Sequence, residues 1–562
     1  MRDRPDVVLA RHFFTSLFQL GFLSDKGTES LKRALLGALA IAMALGLLLV
    51  RVFIKKYGMF STAAPDVYAR AVLADHAFLI AVPMWFVAGA VGLVGHSLFP
   101  DQTDFRILGA EPLSRWTIFS SKLAALLLFV GLFVAGAHLA LVPLTALTLI
   151  GAAKTGSWLA ATLSFAFSSL IGSFFAALFV VAVHGLLVLF APRARLLAFS
   201  STVRSVFIGL LVLSLPLVGR LPATAAAFAT DAWWLPWTPP TWFVGLQRWL
   251  MGDGRYARLA GEAAVATILV LMVSIASYAV LYRRFDRVMV QPATSLGGSR
   301  SRSLSRWSGR APVRHAIRRF VSITIRRSVL HQGLIVGLLA AAGGFVLNGL
   351  LNANGWNEPL DLSLRSPFIL TILWAPMTLM VFAIPSLRLA LSVPLDLRSN
   401  WIFRMTEDVA GRAEIAAANV RLVLALGVLL PLALIGPVQW WVLGPAAAGL
   451  IVLEALIGWL GVEGVMAGWR RIPFTCSYIP GKGFLPGMLL KAFAAYVVLT
   501  TGTTIVLRFS LARPRVALVV ALVTAACAGT LSLRRRRQSP RDSLLFDDEL
   551  PAEINPLSLN AD

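Results

Sequence analysis

The chain has 562 residues, 58% hydrophobic and 14% charged, with a mean hydropathy of +0.77. Soluble domains carry roughly 25% charged residues, so this balance excludes an ordinary soluble fold and points to a polytopic membrane protein. The net charge of +24 comes from Arg and Lys gathered in short polar segments between apolar runs, which favours anionic lipid over nucleic acid as partner.

Residues 1–33 form the first segment. Its charges come early, and no signal-peptidase-like end follows, so the first spanning helix is expected to direct insertion. Within it, VLARHFFTSLFQLGFL is amphipathic and suited to the membrane surface. Residues 34–285 hold six apolar runs: Ala34–Ile54, His76–Leu98, Leu123–Ala146, Trp158–Phe190, Val206–Val218 and Leu259–Leu281. Each is expected to span. The fifth is short and the fourth is long enough to tilt.

A basic linker follows at 286–312, rich in Ser, Gly and Arg and without hydrophobic period. The wider stretch Arg283–Arg327 holds twelve Arg against one acid, Asp286. Residues 313–332 are a second amphipathic segment, which like the first contains Arg-His. Residues 333–531 hold six more expected spans: Gly333–Leu351, Pro367–Leu387, Leu422–Gly436, Val442–Met466, Leu489–Leu507 and Val516–Leu531. Residues 532–562 are the expected C-terminal cytosolic tail.

The predicted fold is therefore all-α, with twelve transmembrane helices in two six-helix halves. An even number per half gives both halves the same orientation, a parallel pseudo-repeat. With both termini cytosolic, 38 of the 51 Lys and Arg fall on the inner side and 13 on the outer side. The positive-inside rule selects that orientation, in the plasma (inner) membrane. Lys55 and Lys56, in the expected outer loop Arg51–Asp75, run against it.

Two cytosolic loops share an order of residues. After the second span come Leu108, Pro112, Leu113, Arg115, Trp116, Ile118 and Phe119. After the eighth come Leu391, Pro394, Leu395, Arg398, Trp401, Ile402 and Phe403. Pro112 breaks the backbone pattern, and a short amphipathic helix carrying Trp and Arg is expected to lead into the third span. Such a segment serves either as an interfacial lipid anchor or as a docking surface.

The pattern formed by Leu108, Pro112, Leu113, Ser114, Arg115, Ile118, Phe119 and Lys122 resembles the permease subunits of type-2 ATP-binding-cassette (ABC) exporters. The aromatic, Pro-rich outer segment WWLPWTPPTWFVGLQRWLMG, Trp233 to Gly252, is similar to one that family carries before its last span. The second half has no comparable segment, and its loop inserts Asp396-Leu397 where the first has one Ser. The resemblance implies that the two loops, through Pro112, Leu113, Arg115, Trp116, Pro394, Arg398 and Trp401, dock separate ABC ATPase subunits. ATP would then be bound by the partner, with no cofactor in this chain, and the two halves would make a complete permease in one chain.

No phosphate-cradling loop, metalloprotease helix, nucleophile elbow or Cys/His ligand cluster occurs, so no catalytic or metal-binding residue is expected. The two cysteines, Cys476 and Cys527, build neither a disulfide framework nor a metal site. Ionisable residues inside spans remain as candidates. Glu454 and Glu463 both lie in the tenth span, nine residues apart and hence on different faces. Each serves either a transport pathway or helix packing, and Gly458, Gly461, Gly464 and Gly468 beside them favour packing. Two rivals to an ATP-driven exporter stand: a secondary transporter coupled to protons through Glu454, and a membrane enzyme such as a lipid-linked glycosyltransferase.

Overall fold

The computed structural model describes residues 5–17, 49–60, 63–94, 111, 113–148, 158–190, 196–226, 228, 233–283, 312–353, 366–393, 400–405, 407, 409–475 and 485–546. Among them every regular element is helical, and ten helices are long and apolar enough to cross a membrane. Only helices can cross hydrocarbon here, because each satisfies its backbone donors internally. Two expected spans are not among the ten. Ala34–Ile54 falls mostly outside the described residues, and Leu489–Leu507 is represented by the shorter apolar helix Val497–Ser510. The chain forms two compact units, Met1–Leu296 and Gly297–Asp562.

The first unit begins with α1, Pro5–Leu17, and continues with helical residues 49–60, α2. Then come α3 (Pro65–Val94), α4 (Arg115–Leu147), α5 (Trp158–Phe190) and α6 (Leu196–Arg220). A short α7 (Pro239–Leu250) precedes α8 (Ala257–Arg283). The hub is α3, which packs against α4, α5, α6 and α7. Its apolar residues run all round the helix, as burial on every side requires. α5 offers it a small-residue stripe, Ser164, Ser168 and Gly172. A Cβ on Gly172 would stand 3.2 Å from Met84 Sδ and from the Phe243 ring. Such small residues let membrane helices approach closely.

The outer loop expected at Arg51–Asp75 is corrected to helix. α2 covers 49–60, and α3 starts at Pro65, ahead of the expected His76. A hydropathy window stops at the first charges, but here Asp75 is 1% exposed and neutralised by its neighbours within the bundle.

The second unit opens with α9 (Pro312–Arg327) and α10 (Val329–Ala353). They lead to α11 (Pro367–Ser392), whose N-terminus is capped by Ser366 Oγ accepting from the Ile369 amide at 3.2 Å. The short α12 (Asn400–Met405) follows. α13 (Val409–Leu424) runs through a π turn, Ala425–Leu429, into α14 (Leu430–Leu443). The expected ninth span Leu422–Gly436 is thus part of a longer membrane helix, Gly411–Leu443, whose first turns carry Arg412, Glu414 and Arg421. α15 (Ala446–Val465), α16 (Leu485–Ala512) and α17 (Pro514–Gln538) complete the unit. The helix α17 continues past the apolar run through Arg534–Arg537, so residues 532–538 are helix rather than tail.

The hub of the second unit is α11, packed against α10, α14, α15 and α16. Within each unit the helices meet in a matching order. α1 lies on α4 as α9 lies on α13, α3 meets α5 as α11 meets α15, and α5 meets α8 as α15 meets α17.

Of the glycines expected to admit a neighbour, Gly458 does so. A Cβ there would meet Val428 Cγ1 at 2.7 Å and Met380 Sδ at 2.9 Å. At Gly461 the contact is an ordinary 3.6 Å to Ile384, at Gly464 nothing lies within 4 Å, and Gly468 adopts φ +68° in the turn after α15. Gly458→Val should therefore overpack the second unit and lower its stability by about 1–3 kcal/mol, whereas Gly464→Val should be near neutral. Thermal unfolding of the two variants in detergent checks this, and an equal loss from both would contradict the packing.

Candidate functional site

In the first loop, Ser114 is the N-cap of α4: its Oγ accepts from the Thr117 amide at 3.0 Å. The helix begins at Arg115 and runs unbroken to Leu147. The separate short helix expected ahead of the third span is thus replaced, over the described residues, by the first turns of the span's own helix. Leu113 is half-buried, while Pro112 lies outside the described residues. Trp116 is 72% exposed, with its ring 5.3 Å from that of Phe119, which in turn lies 6.0 Å from Tyr278. α1 braces this helix start from the side. Ser121 Oγ donates to the Asp6 carbonyl at 3.1 Å, and Lys122 Nζ lies 5.1 Å from the centre of the Phe13 ring. Lys122 is buried under α1.

In the second unit, Pro394 and Arg398 lie outside the described residues. Trp401 is 61% exposed on the free-standing α12. That helix is anchored by Asn400 Nδ2, which donates to the Thr475 carbonyl at 2.6 Å, and by Phe403 against Phe320 of α9, ring centres 5.6 Å apart. Beside it, His331 Nε2 sits 3.1 Å from the Val393 carbonyl, which can only accept, so Nε2 carries the proton. The Phe474 amide donates to the Leu391 carbonyl at 2.9 Å, tying the end of α11 to the segment after α15.

The aromatic segment Trp233–Gly252 folds as a 3-10 turn, Leu235–Trp237, and then α7. Its tryptophans divide the work. Trp233 and Trp237 stand exposed, while Trp242 Nε1 donates to the Pro236 carbonyl at 2.6 Å and closes the turn. Phe243, Val244 and Gln247 point into the bundle. Gly245 admits α8: a Cβ there would lie 2.3 Å from Leu259 Cβ. At the segment's end, Asp253 caps the next turn, and its hydrogen bonds from Arg255 hold its carboxyl below the usual range.

α7 also completes a buried polar cluster that the sequence did not single out. Lys56 Nζ donates to both Asp75 oxygens, at 2.7 and 2.8 Å, and Tyr57 Oη donates to Asp75 Oδ2 at 2.6 Å. Next to it, His76 is held between Gln247 Oε1 at 3.0 Å and Thr148 Oγ1 at 3.1 Å. Tyr68 Oη donates to the Thr148 carbonyl. The cluster thus joins α2, α3, the end of α4 and α7. A charged residue beside a histidine at the edge of an apolar run was the available signal, but Asp75 was assigned to a loop. Gln247, the partner of His76, lies 171 residues from it, a separation that no local pattern bridges.

Glu454 and Glu463 face different neighbours, as their spacing requires. Glu454 is fully buried, and its Oε1 accepts from Gln439 Nε2 at 2.8 Å, whose other proton goes to the Ile372 carbonyl at 3.2 Å. Glu454 Oε2 and Gln439 Oε1 have no hydrogen-bond partner among the described residues. Glu463 is bound at both oxygens by Arg535 of α17, at 2.9 and 3.0 Å, and its Oε1 also accepts from Trp459 Nε1 at 3.3 Å. The pair links α17 to α15. Among the described residues no three His, Cys, Asp or Glu side chains gather as a metal set.

Removing one partner of a buried ion pair strands the other, whereas removing both does not. Asp75→Asn should therefore destabilise the first unit by roughly 2–3 kcal/mol, discounted because Lys56 is 23% exposed. Adding Lys56→Met in the same chain should recover part of that loss. Unfolding midpoints of both single variants and the double variant check this, and strictly additive losses would contradict the pairing.

Comparison with protein-family models, with curated proteins and with solved structures finds no match, so the functional argument stands on the residues described above.

Proposed function

We propose that this chain is the membrane permease of an ATP-driven exporter of the type-2 ATP-binding-cassette kind, powered by ATPase subunits encoded separately. The observation that carries this reading is the exposed tryptophan at a braced helix start in each unit. Trp116 stands at the start of α4, held by α1, and Trp401 stands on α12, held by α9 through Phe403 and Phe320. A large aromatic kept in the open by a dedicated buttress suits a partner's groove, where aromatic and Arg anchors contribute most of the binding energy.

In this reading the chain has twelve spans in two parallel six-span halves, which the matching order of helix packing within the two units supports. Both termini face the cytosol of a cell bounded by this membrane, on the strength of the Lys and Arg distribution. The chain itself binds no ATP. In the first unit, α4 supplies a direct mechanical route. Its 33 residues span about 50 Å, from Trp116 at one end to Thr148 and the His76 cluster just past the other. A displacement of the docked end reaches the buried cluster through one rigid element.

A second reading is proton-coupled transport, favoured by the fully buried Glu454 with one oxygen unpartnered among the described residues. In that case transport follows a pH gradient without ATP, and Glu454→Gln abolishes it while the protein still inserts. In the exporter reading, Glu454→Gln transports normally.

Two experiments test the proposal. Replacing Arg115 and Trp116 together with Ala should weaken ATPase co-purification roughly tenfold or more, with insertion intact. Recovery of no ATPase by the unmodified chain would defeat the exporter reading, and equal recovery by the variant would make these residues lipid anchors. For topology, cysteines placed at Ser303 and at Asn352 should label from opposite sides of the membrane. Labelling of both from one side would overturn the span between them.

A further inference from the structure

The second unit contains a cavity of about 350 Å³ where α13, α15 and α17 meet the segment after α17. Five arginines line it: Arg412, Arg470, Arg471, Arg534 and Arg535. Only two carboxylates share the lining, Glu463 and Asp542, and both are taken. Glu463 is bound by Arg535, and Asp542 Oδ2 lies 3.1 Å from Arg470 Nε. Arg412 is engaged by Glu407 at 2.8 Å. Arg471 and Arg534 have no acidic partner within salt-bridge distance among the described residues. Arg534 is exposed and Arg471 half-buried, so water screens their repulsion, and an anion entering the cavity meets two guanidinium groups not committed to a carboxylate.

The cavity's place says which anions reach it. α15 leaves its apolar stretch at Val465, and α17 leaves its own just before Arg534. The arginines therefore stand where two membrane helices emerge from hydrocarbon, at the depth of lipid head groups. Met466 and Leu531 line the same cavity on its apolar side. Trp469, an interfacial residue type, donates from Nε1 to the Arg471 carbonyl at 2.7 Å and carries the Arg388 guanidinium 5.8 Å from its ring centre. The far wall is built as well. The Leu545 amide donates to the Arg470 carbonyl at 2.8 Å, and the Leu544 amide donates to Glu407 Oε1 at 3.2 Å. Residues 539–545 are thus strapped across the cavity. Guanidinium groups match phosphate oxygens in charge and in fork geometry.

We propose that this cavity is a binding site for a phosphate-bearing anion, with Arg471 and Arg534 as its principal ligands. The shared chemistry is a phosphate oxygen cluster, supplied either by an anionic phospholipid head group or by a soluble phosphate. The site requires only that the chain sits in a membrane, and it is independent of whether an ATPase docks on the loops.

The test uses the full-length protein in detergent, titrated separately with phosphatidylglycerol, phosphatidylcholine and inorganic phosphate and followed by native mass spectrometry. The proposal predicts one saturable, preferred phosphatidylglycerol per chain. Arg471→Gln with Arg534→Gln should weaken it roughly tenfold or more, since two charge-assisted hydrogen-bonding groups are removed. Arg471→Lys with Arg534→Lys should restore most of the binding. The control is Arg536→Gln with Arg537→Gln, an equal charge change on residues of the same helix end that, unlike Arg534, do not line the cavity. Its effect should be small. Saturable binding of inorganic phosphate that displaces phosphatidylglycerol, and is lost in the first double variant, would support the site with a soluble occupant. Equal losses in the two Gln pairs, or no preference for phosphatidylglycerol over phosphatidylcholine together with no phosphate binding, would overturn it. The Glu463–Arg535 pair is untouched in every variant, and an unchanged unfolding temperature confirms that the fold persists.

Discussion

The Asp75 carboxylate lies within 2.8 Å of the Lys56 ammonium and 2.6 Å from the Tyr57 hydroxyl, and it is almost wholly buried. An ionised group in hydrocarbon costs several kcal/mol unless a partner reaches it, so this contact decides where α2 and α3 can lie. The first unit is assembled around that requirement. α3 carries Asp75 and His76 on its early turns, α7 folds back so that Gln247 reaches His76, and the end of α4 supplies Thr148. The second unit meets the same constraint elsewhere. Glu463 on α15 takes Arg535 from α17, and Glu454 takes Gln439 from α14. In both units the long apolar faces supply bulk, while a few polar pairs fix which helix neighbours which. Lipid solvates apolar side chains as well as a protein interior does, so packing of small residues and polar contacts has to provide that selectivity.

The class of fold was legible because hydrocarbon imposes length and composition on any span. Runs such as Trp158–Phe190 and Pro367–Leu387 meet that demand without reference to the rest of the chain. Boundaries were less legible wherever a charge sits inside a helix. Asp75, Arg421 and Arg534 each bounded an expected span, yet each lies in a helix that continues past that bound. For Arg535 the partner comes from a distant segment, Glu463, 72 residues away. That Glu454 and Glu463 face different neighbours was readable, because nine residues on a helix separate faces. That Gly458, and not Gly464, takes the close approach was not, since the difference lies in Val428 and Met380 on other helices.

The tryptophan-bearing loops show a similar division. Pro, Ser and Trp in sequence announce a helix start, and Ser114 does cap α4. What the pattern does not carry is the buttress. Lys122 under Phe13, and Phe403 against Phe320, pair each loop with an amphipathic helix far from it in the chain. Of those helices, suited by sequence to a membrane surface, α1 packs along the helix that carries Trp116, and α9 reaches the helix of Trp401 through the Phe320–Phe403 contact. A surface held in shape before any partner arrives loses less conformational entropy on binding, which is the physical content of the docking proposal.

The most direct measurement of that proposal places a photo-crosslinking residue at Trp116 and, in a separate chain, at Trp401, and irradiates intact cells. The account predicts that both positions capture the same nucleotide-binding protein, and that the crosslink at Trp116 disappears when α1 is deleted. Crosslinks to lipid alone at both positions would contradict it.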